Sequence, residues 1–192
     1  TSSYEDRSLD IVLDLIQLRE ALGNHLLVLL GNHELPHLYH ITLVKGDRVY
    51  TPSFEAAMGE HRKEIIHFFD TLPFYVRTRA GVSVCHAGAF PEIGNDDAAA
   101  RLFTYSHQRV LHKVEAQLPM KQRPALRRKV SELLEVDYDL LASHYLNVHH
   151  PDDPRYDDYL IGLVAGEHPA FDLLWSAFFT EDERENGSPY AT

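Results

Sequence analysis

Cysteine, long apolar runs and basic residues are all scarce in this sequence of 192 residues. Cys85 is the single cysteine, which rules out an internal disulfide and favours a reducing compartment such as the cytoplasm. The longest strong apolar run, over residues 26–30, is far shorter than the roughly 18 residues that a membrane helix needs. Lys and Arg number 18 against 29 Asp and Glu, a formal charge of −11, which argues against a nucleic-acid or anionic-membrane binder.

Histidine is the residue type present in excess. The chain has 13 histidines, and histidine is a common metal ligand and acid–base group. Apolar residues make up 44% and charged residues 24%, which is typical of a globular domain. The N-terminus has no signal-peptide pattern. Because the chain starts at Thr1 and not at Met, we expect that it begins inside a longer protein. We expect a single domain over residues 1–192.

The first half of the chain has the pattern of an α/β core. Apolar spacing predicts helices over 8–22 and 54–70, and the run over 26–30 predicts a strand buried on both faces. Residues 74–78 and 82–86 predict two strands joined as a hairpin. We therefore expect a mostly parallel or mixed sheet layered with helices, in which ligands bind at the carboxyl ends of the strands.

The character of the sequence changes after residue 95. Segments 97–117, 121–135 and 137–146 are amphipathic at helical spacing, and prolines separate them. We interpret residues 95–168 as a helical insert or cap on the α/β core.

The strongest candidate site follows the predicted buried strand, at Gly31-Asn32-His33-Glu34. Gly31 permits a sharp turn, and the amide oxygen of Asn32 can bind a divalent cation. His33 can protonate a leaving oxygen, and Glu34 can orient His33 by accepting a ring N–H.

A second candidate lies at the end of the predicted hairpin, at Cys85-His86-Ala87-Gly88. The small residues after His86 allow a ligand to approach the backbone, and the imidazole can bind a metal. If both strands belong to one core, His86 and the residues after Gly31 face the same edge of the sheet.

These motifs resemble the calcineurin-like metallophosphoesterases, most closely the serine/threonine phosphoprotein phosphatase branch and its bacterial relatives. Residues 31–34 match the family's Gly-Asn-His-Glu element, and residues 84–88, followed by Pro91, are similar to its strand ending in His-Ala-Gly. Residues 172–176 resemble the Asp-Leu-Leu-Trp-Ser element, and residues 4–7 resemble the Asp-Tyr-Val-Asp-Arg-Gly element. The four elements stand in the family's order and cover most of the chain.

The resemblance implies a layered α/β/β/α sandwich and two divalent cations, Mn²⁺ first, with Fe or Zn as alternatives. In that family a metal-bridging hydroxide attacks the phosphorus of a phosphate monoester. Asn32 and His86 would be metal ligands, and His33 would be the general acid. Asp6 would pair with His33, and Arg7 would bind the phosphoryl oxygens. The implied substrate is a phosphorylated protein or a small phosphoester.

The sequence also departs from the family pattern. Ser3 stands where the family has a metal-bridging aspartate. The opening Asp-x-His element and the closing Gly-His element do not occur in the 192 residues. We therefore expect a chain that is truncated at both ends relative to the family's domain.

Two other functions remain open at this point. A metal-free, non-catalytic domain could bind phosphate or a peptide on the same scaffold, or a protein-interaction domain could use the helical insert as its binding face. His33, Glu34 and His37 also fit the His-Glu-x-x-His zinc-protease pattern. Pro36 lies inside that pattern and disfavours the helix that it requires.

Overall fold

A computed structural model describes residues 6–40, 42–45, 48–87, 106–165 and 174. Several sequence predictions therefore lie wholly or partly outside the described residues. They are residues 4 and 5 of the element over 4–7, Gly88 and Pro91, and residues 97–105 of the helix predicted over 97–117. Of the element over 172–176, only Leu174 is described.

The described part of the chain is mixed α/β and mostly helical. Its helices are α1 (Ser8–Leu22), α2 (Leu35–Tyr39), α3 (Thr51–Met58), α4 (Arg62–Asp70), α5 (His107–Gln117), α6 (Arg123–Leu134), α7 (Tyr138–Leu146) and α8 (Asp158–Ala165). Single 3₁₀ turns occupy Gly23–His25 and Gly59–His61. Strand β1 (Val44–Lys45) pairs antiparallel with β2 (Arg48–Val49), and β3 (Tyr75–Arg77) pairs antiparallel with β4 (Ser83–Cys85). None of the described helices is long and apolar enough to cross a membrane.

Helix α1 has the bounds that the sequence predicts, 8–22. The carboxylate of Asp6 accepts hydrogen bonds from the backbone N–H of Ser8 (2.9 Å) and from its hydroxyl (2.6 Å). These bonds satisfy a backbone donor that the first turn leaves unpaired. The helix ends at Gly23, whose φ of +53° suits glycine better than any L residue.

The predicted buried strand over residues 26–30 is wrong for the described structure. Leu30 is fully buried, but the side chain of Leu27 is 65% exposed. The N–H of Leu30 donates to the carbonyl of Pro73 (3.0 Å), just before β3, and no described strand pairs with the segment along its length. A strand buried on both faces needs a layer of helices or a second sheet packed over each face, and the exposure of Leu27 shows that one face of this segment is open.

The predicted helix over 54–70 is present as two helices. Helix α3 begins earlier, at Thr51, with Pro52 in its first turn, where a missing N–H costs nothing. Gly59 then adopts a φ of +47° and separates α3 from α4. The predicted hairpin is confirmed, with Val76 opposite Val84.

One hydrophobic core joins the two halves of the described chain. Tyr39 and Phe69 from the first half and Val148 and Leu174 from the second are all nearly inaccessible to solvent. The helices predicted over 121–135 and 137–146 are confirmed as α6 and α7. The interpretation of residues 95–168 as an insert on a separate core stays a prediction.

His107 links the halves from inside this core. Its Nδ1 lies 3.0 Å from the hydroxyl of Tyr39, and its ring packs against Phe74 at 4.9 Å between centroids. Burial lowers the pKa of His107 to about 4, although the charge of Asp70 and a hydrogen bond with the backbone of Leu72 act in the opposite direction. His107 is therefore a neutral core histidine near neutral pH.

Candidate functional site

Asn32 and His86 meet in the structure although 54 residues separate them. The Nε2 atom of His86 lies 3.1 Å from Oδ1 of Asn32. Asn32 follows the extended segment over 26–30, and His86 follows β4, so both residues lie just past the ends of neighbouring segments. We call this pair, with Gly31 and Glu34, the Asn32–His86 edge.

Gly31 lies in close contact with two side chains at this edge. A Cβ atom on residue 31 would lie 2.5 Å from Oε2 of Glu34 and 3.3 Å from Cε1 of His86. The backbone N–H of Gly31 donates a 3.0 Å hydrogen bond to the same carboxylate oxygen of Glu34. Glu34 therefore supports the turn at Gly31, whereas the sequence predicts that it orients His33.

His33 and Asp6 line one cavity of about 690 Å³, bordered by α1, α2 and α3. The ring of His33 is exposed and contacts the ring of Tyr50 edge-on, with 6.0 Å between centroids. Hydrogen bonds from the hydroxyl and the N–H of Ser8 hold the pKa of Asp6 below its usual range, so Asp6 is a carboxylate. The structure thus brings the implied acid and its implied partner to one cavity, and it directs the Asp6 carboxylate to Ser8.

The cavity wall is mixed, with apolar side chains beside polar ones. The apolar lining residues are Val12, Leu43, Val49, Phe54 and Phe69.

Arg7 lies apart from these residues. Its Nε is 3.3 Å from Oδ2 of Asp10 on the surface of α1, and both side chains are mostly exposed. Arg7 is not among the described residues that line the cavity. Its implied role in binding phosphoryl oxygens stays a prediction.

Three residues that sequence reasoning did not assign form a network behind the cavity. His37 lines the cavity and is only 6% exposed, and its Nδ1 lies 2.7 Å from Oε1 of Glu55. The other oxygen of Glu55 accepts a 2.7 Å hydrogen bond from Nε of Arg62. Burial acts to raise the pKa of Glu55, but the bonds from His37 and Arg62 outweigh it and lower the pKa. We call these three residues the His37 network.

The sequence carried one signal for His37. It stands four residues after His33, in the pattern that also fits a zinc protease. Helix α2 begins only at Leu35, with Pro36 in its first turn, so His33 precedes the helix. Glu55 and Arg62 belong to other helices, and no spacing in the sequence joins them to His37.

The edge fits part of a metal site. An amide oxygen and an imidazole nitrogen 3.1 Å apart are suitable donors for one divalent cation. Within the part of the chain that the structure describes, no group of three or more His, Cys, Asp or Glu residues could hold a metal ion. Further ligands would have to come from elsewhere.

Comparisons with protein-family models, with curated proteins and with solved structures gave no match to this chain.

Proposed function

We propose that this protein hydrolyses phosphate monoesters with the help of divalent cations. The observation that carries the proposal is the 3.1 Å approach of Asn32 Oδ1 to His86 Nε2. These two residues belong to separate motifs, and the resemblance to metallophosphoesterases implies that both motifs contribute to one metal site. The observed contact therefore agrees with the arrangement that the resemblance implies.

Asn32 and His86 would hold one cation of a pair, with Mn²⁺ as the first choice. Bound cations would supply a nucleophile from water and neutralise phosphoryl charge. The His86 ring lies close to Gly31, and its Nε2 contacts Asn32 Oδ1, so the two ligand atoms already lie together before a cation binds.

His33 would donate the proton to the leaving oxygen. Its ring is solvent-accessible at the mouth of the cavity, so a substrate oxygen can reach it. Asp6 lines the same cavity as a carboxylate and is the residue that the resemblance pairs with His33.

The proposal includes a fold and a setting. The described segments would form part of a layered α/β/β/α sandwich. The substrate would be a phosphorylated protein or a small phosphoester. The protein would act in the cytoplasm, a reducing compartment with which a single cysteine, Cys85, is consistent.

Release of nitrophenol from 4-nitrophenyl phosphate by the full chain tests the proposal. We expect turnover with Mn²⁺ and its loss on chelation. With 4-methylphenyl phosphate, whose basic leaving oxygen needs a proton, we also expect loss of turnover in His33→Asn. His25→Asn is a matched control, because His25 is exposed in the 3₁₀ turn after α1 and does not line the cavity. Absence of metal-dependent turnover in the wild type would favour the metal-free binding domain instead.

A further inference from the structure

His37 is a buried polar side chain with one nitrogen available to the cavity. Nδ1 faces Glu55, and no other described residue pairs with the ring by hydrogen bond or ion pair. Within the described residues, every fully inaccessible side-chain nitrogen or oxygen has a partner. Nε2 of His37 has none among them and is therefore not fully inaccessible; because His37 lines the cavity, we infer that Nε2 can be reached from it.

The surroundings of His37 fix the chemistry of that nitrogen. Glu55 is ionised and held by Arg62, so its carboxylate accepts a hydrogen bond from the N–H at Nδ1 of His37. In the neutral ring, Nε2 is then a hydrogen-bond acceptor. Contacts with Phe54 (5.1 Å between centroids) and Phe69 (6.2 Å) restrict rotation of the ring.

The cavity wall favours an uncharged occupant. Its acidic lining residues are Asp6 and Glu34, and no Lys or Arg occurs among the described lining residues. An anion placed there would meet like charge, whereas an aromatic or aliphatic body would contact side chains such as Phe54 and Val12.

We propose that this cavity binds the leaving group of the substrate, an aromatic or aliphatic body that ends in a hydroxyl, and that the hydroxyl donates to Nε2 of His37. The inference rests on the proposed function, because it places the phosphate at the Asn32–His86 edge and the leaving oxygen near His33. It assigns His37 the role of a specificity-determining residue, with Glu55 as the residue that positions it.

Two aryl phosphates that differ in one group test the inference. 4-Hydroxyphenyl phosphate carries the hydroxyl, and 4-methylphenyl phosphate carries a methyl of similar size in its place. A site built to hydrogen-bond a hydroxyl rejects the analogue that lacks it. At pH 8 with Mn²⁺, we expect the wild type to prefer the hydroxyl ester by about ten-fold or more in kcat/KM.

The variant His37→Phe keeps an aromatic ring and removes the acceptor. We expect it to turn over both esters with similar kcat/KM. Glu55→Gln keeps the His37 ring but removes its charged partner. We expect this variant to have a weaker preference for the hydroxyl ester. It also provides a test if His37→Phe fails to fold. His25→Phe is the control and retains the full preference. Equal kcat/KM for the two esters in the wild type would overturn the inference.

Neutral ligands separate failure of this inference from failure of the proposed function. 4-Methoxyphenol and 4-methylanisole differ in the same hydroxyl and need neither metal nor turnover. If the wild type hydrolyses neither ester, imidazole ¹⁵N spectra still test the cavity. A titration with 4-methoxyphenol that shifts the Nε2 resonance of His37, with an affinity about ten-fold higher than that of 4-methylanisole, supports the cavity site. No shift, or equal shifts with both compounds, contradicts it.

Discussion

The Asn32–His86 edge and the His37 network are both built around a histidine, but the chain builds them in different ways. The edge joins two short motifs, each at the end of an extended segment, through one contact of 3.1 Å. The network joins α2, α3 and α4 through two bonds of 2.7 Å, and its histidine is buried. The exposed histidine is suited to bind an external ligand, whereas the buried one already has a fixed partner and can only add one further bond.

Loss of the acid at the cavity mouth gives the largest expected effect. Because general acid catalysis contributes typically 10²- to 10⁴-fold when the leaving oxygen is basic, we expect His33→Asn to lower kcat on 4-methylphenyl phosphate by about 100-fold or more. Folding should be unaffected, since His33 is exposed. A kcat within about two-fold of the wild-type value would show that His33 is not the general acid.

Loss of the glycine at the edge should cost stability through a specific neighbour. In Gly31→Ala the new Cβ displaces the Glu34 carboxylate and leaves the buried Gly31 N–H without its bond, which costs about 1–3 kcal/mol. Urea unfolding measures the free energy of unfolding. In a Glu34→Ala background the bond is already absent, so the same substitution should cost less by about 1 kcal/mol.

Equal costs of Gly31→Ala in the two backgrounds would show that the tight approach to Glu34 does not explain the glycine. The pair of variants therefore tests the geometry of the edge without any assumption about function.

The buried histidine of the core should make stability depend on pH. The pKa of His107 is about 4 in the folded chain against an ordinary value of 6.5, so the unfolded chain binds more protons between these values. The contribution of neutral His107 to the free energy of unfolding is fully present above pH 6.5 and is lost as the pH falls towards 4. Between pH 7 and 5 the free energy of unfolding should fall by about 2 kcal/mol. Urea unfolding at both pH values checks this.

His107→Gln is the matched variant for this measurement. Gln can still hydrogen-bond Tyr39 but does not titrate, so its loss between pH 7 and 5 should be smaller than that of the wild type by about 2 kcal/mol. Parallel pH profiles for the two proteins would mean that His107 takes up its proton without penalty in the folded chain.

The smallest expected effect is at Arg7. Its pair with Asp10 is exposed and solvent-screened, so Arg7→Ala should change the free energy of unfolding by less than about 0.5 kcal/mol. A loss above about 1 kcal/mol in urea unfolding would show that the residue has a buried role that the surface pair does not explain.

The sequence predicted local elements well and long-range networks poorly. Helix α1 was predictable because its apolar spacing and Gly23 are both local signals. The segment over 26–30 was mispredicted because burial of a strand depends on neighbours that the apolar pattern does not contain. Gly59 interrupts the helix predicted over 54–70 through a positive φ, which apolar spacing does not reveal.

The candidate site shows the same division. Asn32, His33 and His86 were accessible to sequence reasoning because they lie in short motifs with a chemical rationale. Glu55 and Arg62 were not, since ionic contacts between helices depend on how those helices pack. His37 lay in a recognisable pattern, and its burial against Glu55 could only be seen in the structure.

The central claim is that the Asn32–His86 edge binds a metal ion, and a Mn²⁺ titration of the full chain tests it most directly. Electron paramagnetic resonance of free Mn²⁺ measures the affinity of the wild type, of His86→Phe and of the control His25→Phe. We expect the wild type and the control to bind alike, and His86→Phe to lose about ten-fold or more in affinity. Equal Mn²⁺ affinity in all three proteins, or none in the wild type, would contradict the claim.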